Sequence, residues 1–122
     1  MVAAPSRPVL IVEDNATTRA GLAALLNASG YATVAHANAE RALAYLESGG
    51  DPCLIVLDLM LGAGMTGVEL RAILLENPRL ARIPVVVFTG IDAEPVPKVV
   101  AQLRKTVEPD ELLAVIARSC VR

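Results

Sequence analysis

The sequence contains very few aromatic residues, and its charges nearly balance. Phe, Trp and Tyr make up 2% of the 122 residues, although 54% of the residues are hydrophobic. The interior must therefore be built from Leu, Val, Ile and Ala, and a chain of this length suits one compact domain. The formal net charge of −2 gives no indication of a basic surface, so we expect no nucleic-acid or anionic-membrane partner.

Cysteine, histidine and long apolar runs are also scarce. Cys53 and Cys120 have no spacing typical of a disulfide framework, so we expect free thiols in a reducing compartment. His36 is the only histidine, which excludes a histidine-rich metal site. No apolar run reaches the ~18 residues of a membrane span, and the first residues lack the apolar stretch of a signal peptide. We expect a cytoplasmic protein with one domain over 1–122, of which about 1–7 is disordered or extended.

An apolar run that ends on a carboxylate is the strongest structural signal. Residues 53–58 read Cys-Leu-Ile-Val-Leu-Asp, which is typical of a strand buried on both faces of a parallel sheet. Other short apolar runs predict strands at 8–12, 31–37, 85–88 and 99–104. Cap and stop residues predict helices at about 16–28, 39–48, 66–76 and from 109 onward. This alternation predicts an α/β fold with a parallel sheet and right-handed crossovers.

Polar residues end four of the predicted strands. Glu13 and Asp14 follow the first strand, Asp58 the third, Thr89 the fourth and Lys105 the fifth. Because the carboxyl ends of parallel strands share one edge, these residues are expected to converge. Clustered carboxylates repel one another unless a cation neutralises them, and Mg²⁺ suits oxygen ligands beside phosphate. Together with a lysine and a hydroxyl, the pattern predicts an aspartate that accepts a phosphoryl group.

The chain resembles the receiver domain of two-component response regulators from about residue 8 to residue 121. The resemblance implies a doubly wound five-stranded sheet in the flavodoxin-like order 2-1-3-4-5. The motifs that carry it are Val12-Glu13-Asp14-Asn15, Ile55-Val56-Leu57-Asp58, Val87-Phe88-Thr89-Gly90 and Leu103-Arg104-Lys105.

The resemblance also implies a role for each residue of the site. Asp58 is the expected phosphoacceptor, Thr89 grips the phosphoryl group after transfer, and Lys105 pairs with it. The implied Mg²⁺ ligands are Glu13, Asp14, Asp58 and the carbonyl of Met60. The implied partners are a histidine kinase or histidine phosphotransfer protein and a downstream protein target. We expect a single-domain regulator, a monomer or weak dimer, that is not an enzyme but promotes its own phosphorylation and dephosphorylation.

Three departures from the family pattern are visible. Thr106 stands after the lysine, where the family usually has proline preceded by a cis peptide bond, and Gln102 replaces the aromatic switch residue. The connection from Thr89 to Lys105 is short and contains Pro95 and Pro97. Because proline breaks regular helices, the fourth helix is expected to be a single turn or absent.

Two alternatives remain at this stage. One is a receiver-like interaction module that signals without phosphorylation, which the unusual Thr106 and Gln102 favour. The other is a dinucleotide site, since residues 62–67 read G-x-G-x-x-G after a strand and before a helix. In a dinucleotide site an acidic residue about 20 residues further along the chain binds the ribose, and this sequence lacks that residue. Arg19, near the site in sequence, is interpreted as a charge on the surface of the first helix.

Overall fold

The computed structural model describes residues 7–120, in which five parallel strands form one sheet in the order β2-β1-β3-β4-β5. This confirms the predicted doubly wound, flavodoxin-like arrangement. The elements in chain order are β1 (Val9–Val12), α1 (Ala16–Ala28), β2 (Thr33–His36), α2 (Ala39–Glu47), β3 (Leu54–Leu57), α3 (Gly67–Glu76), a 3₁₀ turn (Leu80–Arg82), β4 (Val85–Thr89), β5 (Ala101–Arg104) and α4 (Pro109–Ser119).

Alternating residues of the strands build two apolar layers, one on each face of the sheet. Leu10 and Ile55 face the layer that contains α2 and α3. Their neighbours Ile11 and Val56 face the layer that contains α1 and α4. The three central strands are therefore buried on both sides, which explains their continuous apolar sequences.

Side-chain caps start three of the helices at the predicted residues. Asn15 accepts a hydrogen bond from the Thr18 N–H at 2.9 Å, and Asn38 accepts one from the Arg41 N–H at 2.8 Å. Thr66 and Glu69 form a reciprocal capping box at the start of α3. Each cap satisfies backbone N–H groups that have no partner inside the helix. Each of the loops that follow β1, β2 and β3 is therefore fixed at the end that leads into the next helix.

Within the described residues, the connection between β4 and β5 contains no helix. This confirms the prediction from its short, proline-containing sequence. Val96 is buried in the core layer of α2 and α3. Backbone groups around Val96 form hydrogen bonds with the Gln102 side chain, and not with one another as in a helix. Gln102 accepts from the Val96 N–H at 2.9 Å and donates to the Glu94 carbonyl at 3.2 Å. The chain then turns at Lys98, which has a φ of 57°, so β5 begins two residues later than predicted.

A disulfide joins Cys53 to Cys120, so the expectation of two free thiols is wrong. Cys53 precedes β3 and Cys120 follows α4, and their Cα atoms lie 5.0 Å apart, within the usual span of a disulfide. The sequence could not show this pairing because 67 positions separate the two residues. Only the packing of α4 against the sheet brings them together.

The expected disordered or extended segment at 1–7 lies outside the described residues except for Arg7, whose guanidinium donates to the Pro52 carbonyl at 2.8 Å. Among residues 7–120, no helix has the length and apolar character needed to cross a bilayer.

Candidate functional site

The carboxyl ends of β1, β3, β4 and β5 bring the predicted polar residues to one edge of the sheet. Val12 pairs with Leu57 in register, so Glu13 and Asp58 emerge side by side. Thr89 pairs with Arg104, which places Thr89 and Lys105 on the neighbouring strand ends. The Asp58 N–H donates to the Val12 carbonyl at 3.0 Å, so the ladder between β1 and β3 continues into the site.

Lys105 bridges two buried carboxylates. Its Nζ lies 2.5 Å from Glu13 Oε1 and 3.0 Å from Asp58 Oδ2. Glu13 is 1% exposed and Asp58 is 3% exposed, so each would be costly to bury as an unpaired charge. A single ammonium therefore neutralises part of a buried acidic pair.

The surroundings shift the pKa values of this cluster. Burial raises the pKa of Glu13 above its ordinary value, although the hydrogen bonds from Lys105 and from the Asn15 N–H oppose the shift. For Lys105, burial alone would lower the pKa, but the hydrogen bonds to Glu13 and Asp58 outweigh it and raise the pKa. Lys105 therefore stays cationic throughout the physiological range.

Asp58 opens onto a cleft. Its Oδ1 accepts a hydrogen bond from the Met60 N–H at 3.1 Å, which fixes the rotation of the carboxylate. The cleft has a volume of about 420 Å³, and its lining includes Asp14, Met60, Gly90 and Lys105. A phosphoryl-sized group therefore has room beside Asp58.

The donor set suits a hard divalent cation. One carboxylate oxygen each from Glu13, Asp14 and Asp58 lie within 4.8 Å of one another. Asp14 is exposed, and its carboxylate has no hydrogen bond or ion pair with any other residue between 7 and 120. All-oxygen ligation of this kind is what Mg²⁺ requires, and one or two carboxylates with water are its usual protein ligands. The three carboxylates thus fit the expected metal.

Thr89 presents a hydroxyl without a partner. The residue is 1% exposed, and its Oγ1 makes no hydrogen bond within the part of the chain that the structure describes. Its carbonyl, in contrast, accepts from the Lys105 N–H at 2.9 Å. A buried hydroxyl without a partner is costly and often marks a functional position.

The peptide bond between Lys105 and Thr106 is trans, and so are all the other peptide bonds in residues 7–120.

Gly67 lets the start of α3 lie against the backbone that follows β3. A Cβ at this position would lie 2.3 Å from the Asp58 carbonyl oxygen and 2.8 Å from the Leu59 Cα. Gly62 and Gly64 have φ values of 70° and 93°, in the region that glycine adopts without strain. The contact at Gly67 and the positive φ values of Gly62 and Gly64 show that the shape of the loop beside Asp58 explains the glycine pattern at 62–67.

Three residues that support the site were not identified from the sequence. Arg19, a half-buried charge on α1, donates to the carbonyls of Glu13 and Asp14 at 3.0 and 3.2 Å. Glu40 accepts from the Met65 N–H at 2.9 Å, and this hydrogen bond lowers the pKa of Glu40. Arg71, 3% exposed, donates to the Lys98 carbonyl at 2.7 Å. All three hold loops through backbone atoms, which no sequence spacing reveals.

Comparisons with known proteins agree with this architecture. The profile of the family described as the response regulator receiver domain matches residues 9–117, and this chain belongs to that family. Receiver domains are signalling domains of two-component systems and not classical enzymes. No curated protein sequence matches the chain.

Solved structures of similar shape include two with related sequences. A signal receiver domain of a histidine kinase from Syntrophus aciditrophicus is 27% identical, with a TM-score of 0.83 over 94% of this chain and 90% of that one. The N-terminal domain of a response regulator/sensory box/GGDEF protein from Carboxydothermus hydrogenoformans is 25% identical, with a TM-score of 0.82 over 93% of each chain. The chemotaxis protein CheY4 of Vibrio cholerae, at 23% identity and a TM-score of 0.82 over 94% and 99%, supports the fold.

Proposed function

We propose that this receiver accepts a phosphoryl group on Asp58 in a Mg²⁺-dependent reaction and signals by protein contact. The observation that carries the proposal is the arrangement of Asp58. Its carboxylate is 3% exposed, is held by Lys105 and the Met60 N–H, and lines an open cleft. A carboxylate that is fixed at a cleft is positioned to attack a phosphorus atom that enters the cleft.

The transfer step needs few protein groups. An Asp58 carboxylate oxygen forms the new bond to phosphorus while the bond from phosphorus to the donor histidine nitrogen breaks, and the nitrogen keeps that electron pair. Lys105 then pairs with a phosphoryl oxygen in place of its present contact with Asp58 Oδ2. The Thr89 hydroxyl, now without a partner, donates to another phosphoryl oxygen. Both contacts exist only after transfer, so they favour the phosphorylated state.

Glu13, Asp14, Asp58 and the Met60 carbonyl are the proposed metal ligands. Asp14 binds directly, because its carboxylate is exposed and has no other partner among the described residues. Glu13 acts through water, because its two oxygens are engaged by Lys105 and the Asn15 N–H. When bound, Mg²⁺ neutralises charge that develops on the transferred phosphoryl oxygens.

The proposed partners are proteins. The phosphoryl donor is a histidine kinase or a histidine phosphotransfer protein, and the output is a downstream protein target, with no nucleic-acid or membrane surface. The chain acts as one domain over 1–122, in the cytoplasm, as a monomer or weak dimer. It also promotes its own phosphorylation from small donors and its own dephosphorylation.

Labelling with acetyl phosphate tests the proposal. Intact-mass spectrometry should show one added phosphoryl group on wild type with Mg²⁺, and none with EDTA or in Asp58→Asn, which keeps the shape and loses the nucleophile. Asp110→Asn is the matched control, because Asp110 is an exposed aspartate on α4, and it should label as wild type does. If wild type takes no label, the chain is the phosphorylation-independent module; equal labelling of Asp58→Asn would place the chemistry elsewhere.

A further inference from the structure

A second cavity lies at the edge of the sheet opposite Asp58. Among its lining residues, Arg7, Cys53 and Pro84 come just before β1, β3 and β4. Because these strands are parallel, the cavity lies at their amino ends, away from the phosphoryl site. It has a volume of about 500 Å³, which is within the range of small-molecule sites. The two clefts share no lining residue.

The charged groups that line this cavity are mostly cationic. They are three guanidinium groups, those of Arg7, Arg79 and Arg82, and one carboxylate, that of Asp51. Asp51 forms an ion pair with Arg7 at 3.1 Å, which balances its charge. Arg79 and Arg82 form no ion pair with any residue between 7 and 120. Two positive charges therefore remain available to a ligand.

Backbone carbonyls hold two of the three arginines in place. The Arg7 guanidinium donates to the Pro52 carbonyl at 2.8 Å. The Arg79 guanidinium donates to the Gly50 carbonyl at 3.2 Å. Both acceptors belong to the connection between α2 and β3. Since a guanidinium carries a rigid fork of N–H donors, each arginine keeps donors that these hydrogen bonds do not use. The two groups are therefore ordered before a ligand arrives, which lowers the entropy cost of binding.

Arg82 supplies a guanidinium whose donors are all free. Its side chain makes no hydrogen bond or ion pair with any other residue of the described chain. Ser119, in the last turn of α4, adds a hydroxyl to the same wall. Ile83 and Pro84, between the 3₁₀ turn and β4, add apolar atoms. The cavity thus combines donors for an anion with a surface for an organic group.

We infer that this cavity is a binding site for a small organic phosphomonoester, whose phosphate is held by Arg7, Arg79 and Arg82. A phosphomonoester carries nearly two negative charges and three strong acceptor oxygens at neutral pH. Its charge therefore balances the two arginines that lack an ion pair, and its oxygens accept from guanidinium groups on different sides.

Charge and size select this class over simpler anions. A carboxylate carries one charge and is satisfied by a single guanidinium fork, so it would leave a positive charge unbalanced. Inorganic phosphate would fill only part of the volume of about 500 Å³ and would leave the apolar wall at Ile83 and Pro84 in contact with water. Binding needs no metal, because the arginines supply the positive charge. The site therefore works independently of Asp58 and of Mg²⁺.

Titration with glycerol 3-phosphate locates the site. The full chain, labelled with ¹⁵N, is followed by amide chemical shifts in EDTA, which removes Mg²⁺ from the Asp58 cleft. We expect saturable shifts centred on residues 50–53 and 79–84, and none with glycerol, which has the same organic group without the charge. Shifts centred on residues 13–14 and 58–60 would place binding in the phosphoryl cleft. That result would overturn the inference, and so would a lack of saturation up to about 10 mM ligand.

Two variants test the role of the arginine charge. At low salt, Arg82→Gln should weaken the affinity for glycerol 3-phosphate about fivefold, the factor expected of a single contact between unit charges in water. Arg41→Gln removes the same charge from an exposed position on α2 outside the cavity, and it should bind as wild type does. Equal affinities in wild type and Arg82→Gln would refute the site.

Two other anions test the ligand class. Succinate has two carboxylates, and inorganic phosphate has no organic group. Both should bind wild type more weakly than glycerol 3-phosphate does. If either bound as tightly, the assignment of a phosphomonoester would be wrong.

Discussion

Gly67 allows the most detailed test of how the fold positions Asp58. A methyl group at this position would enter the space of the Asp58 carbonyl oxygen, 2.3 Å away, and of the Leu59 Cα, 2.8 Å away. Both obstacles are backbone atoms, so a rotamer change cannot relieve the clash. Overpacking of this kind costs about 3 kcal/mol at the upper end of its usual range. The helix propensity gained by alanine recovers at most about 1 kcal/mol.

Gly67→Ala should therefore lower the free energy of unfolding by about 2 kcal/mol. In urea this is a fall in midpoint of roughly 1 to 2 M. Because the displaced atoms belong to Asp58 and Leu59, Mg²⁺ affinity should also fall about tenfold, as for other residues that support metal ligands. Urea unfolding followed by circular dichroism and Mg²⁺ titration by calorimetry measure the two effects.

Gly21→Ala is the matched control. Gly21 lies inside α1, and a Cβ there would have nothing within 4 Å. This variant should gain about 0.5 to 1 kcal/mol, because alanine loses less backbone entropy in a helix than glycine does. Wild-type stability and wild-type Mg²⁺ affinity in Gly67→Ala would refute the close contact between α3 and the backbone that follows β3.

Three further outcomes are expected. Cys120→Ser should lower the free energy of unfolding by about 4 kcal/mol relative to the oxidised wild type, the loop-entropy value for a separation of 67 residues; an equal urea midpoint would contradict the cross-link. Gln102→Ala should speed hydrogen exchange at the Val96 amide about fivefold, since one hydrogen bond of ~1 kcal/mol is lost, while the amide of Val100, bonded to the backbone of β4, stays unchanged; no change at Val96 would contradict it. In metal-free protein, Lys105→Met should cost about 2 kcal/mol at pH 8. The folded-state pKa of Lys105 lies above the ordinary 10.5. Its contribution to the free energy of unfolding is therefore complete below pH 10.5 and disappears at higher pH. The difference in thermal stability between wild type and Lys105→Met should narrow above pH 10.5, and a constant difference would contradict the role of Lys105.

The sheet was predictable because its signals are local and repeated. Five short apolar runs, four of them followed by polar residues, predict parallel strands whose carboxyl ends meet. The start of α3 was predicted at the right position because Thr66 is a helix-capping residue, and the structure adds Glu69, which completes a capping box. The same locality explains why Glu13, Asp58 and Lys105 could be named together from the sequence alone.

The contacts that depend on packing were not predictable. Arg71 reads as a surface charge on α3, yet it is buried because the helix-free connection supplies the Pro97 and Lys98 carbonyls to its guanidinium. Gln102 stands where the family has an aromatic residue, and the same connection supplies hydrogen-bond partners to its amide group. The Cys53–Cys120 pairing likewise depends on where α4 ends in space. Each contact joins a side chain to backbone or to a residue far away in sequence.

Chemical trapping identifies directly the residue that carries the phosphoryl group. Sodium borohydride reduces an aspartyl phosphate to homoserine, which peptide mass mapping locates. After treatment with acetyl phosphate and Mg²⁺, we expect homoserine at position 58 in wild type and at no position when Mg²⁺ is removed. Homoserine at another aspartate, or none in the presence of Mg²⁺, would contradict the assignment of Asp58 as the phosphoacceptor.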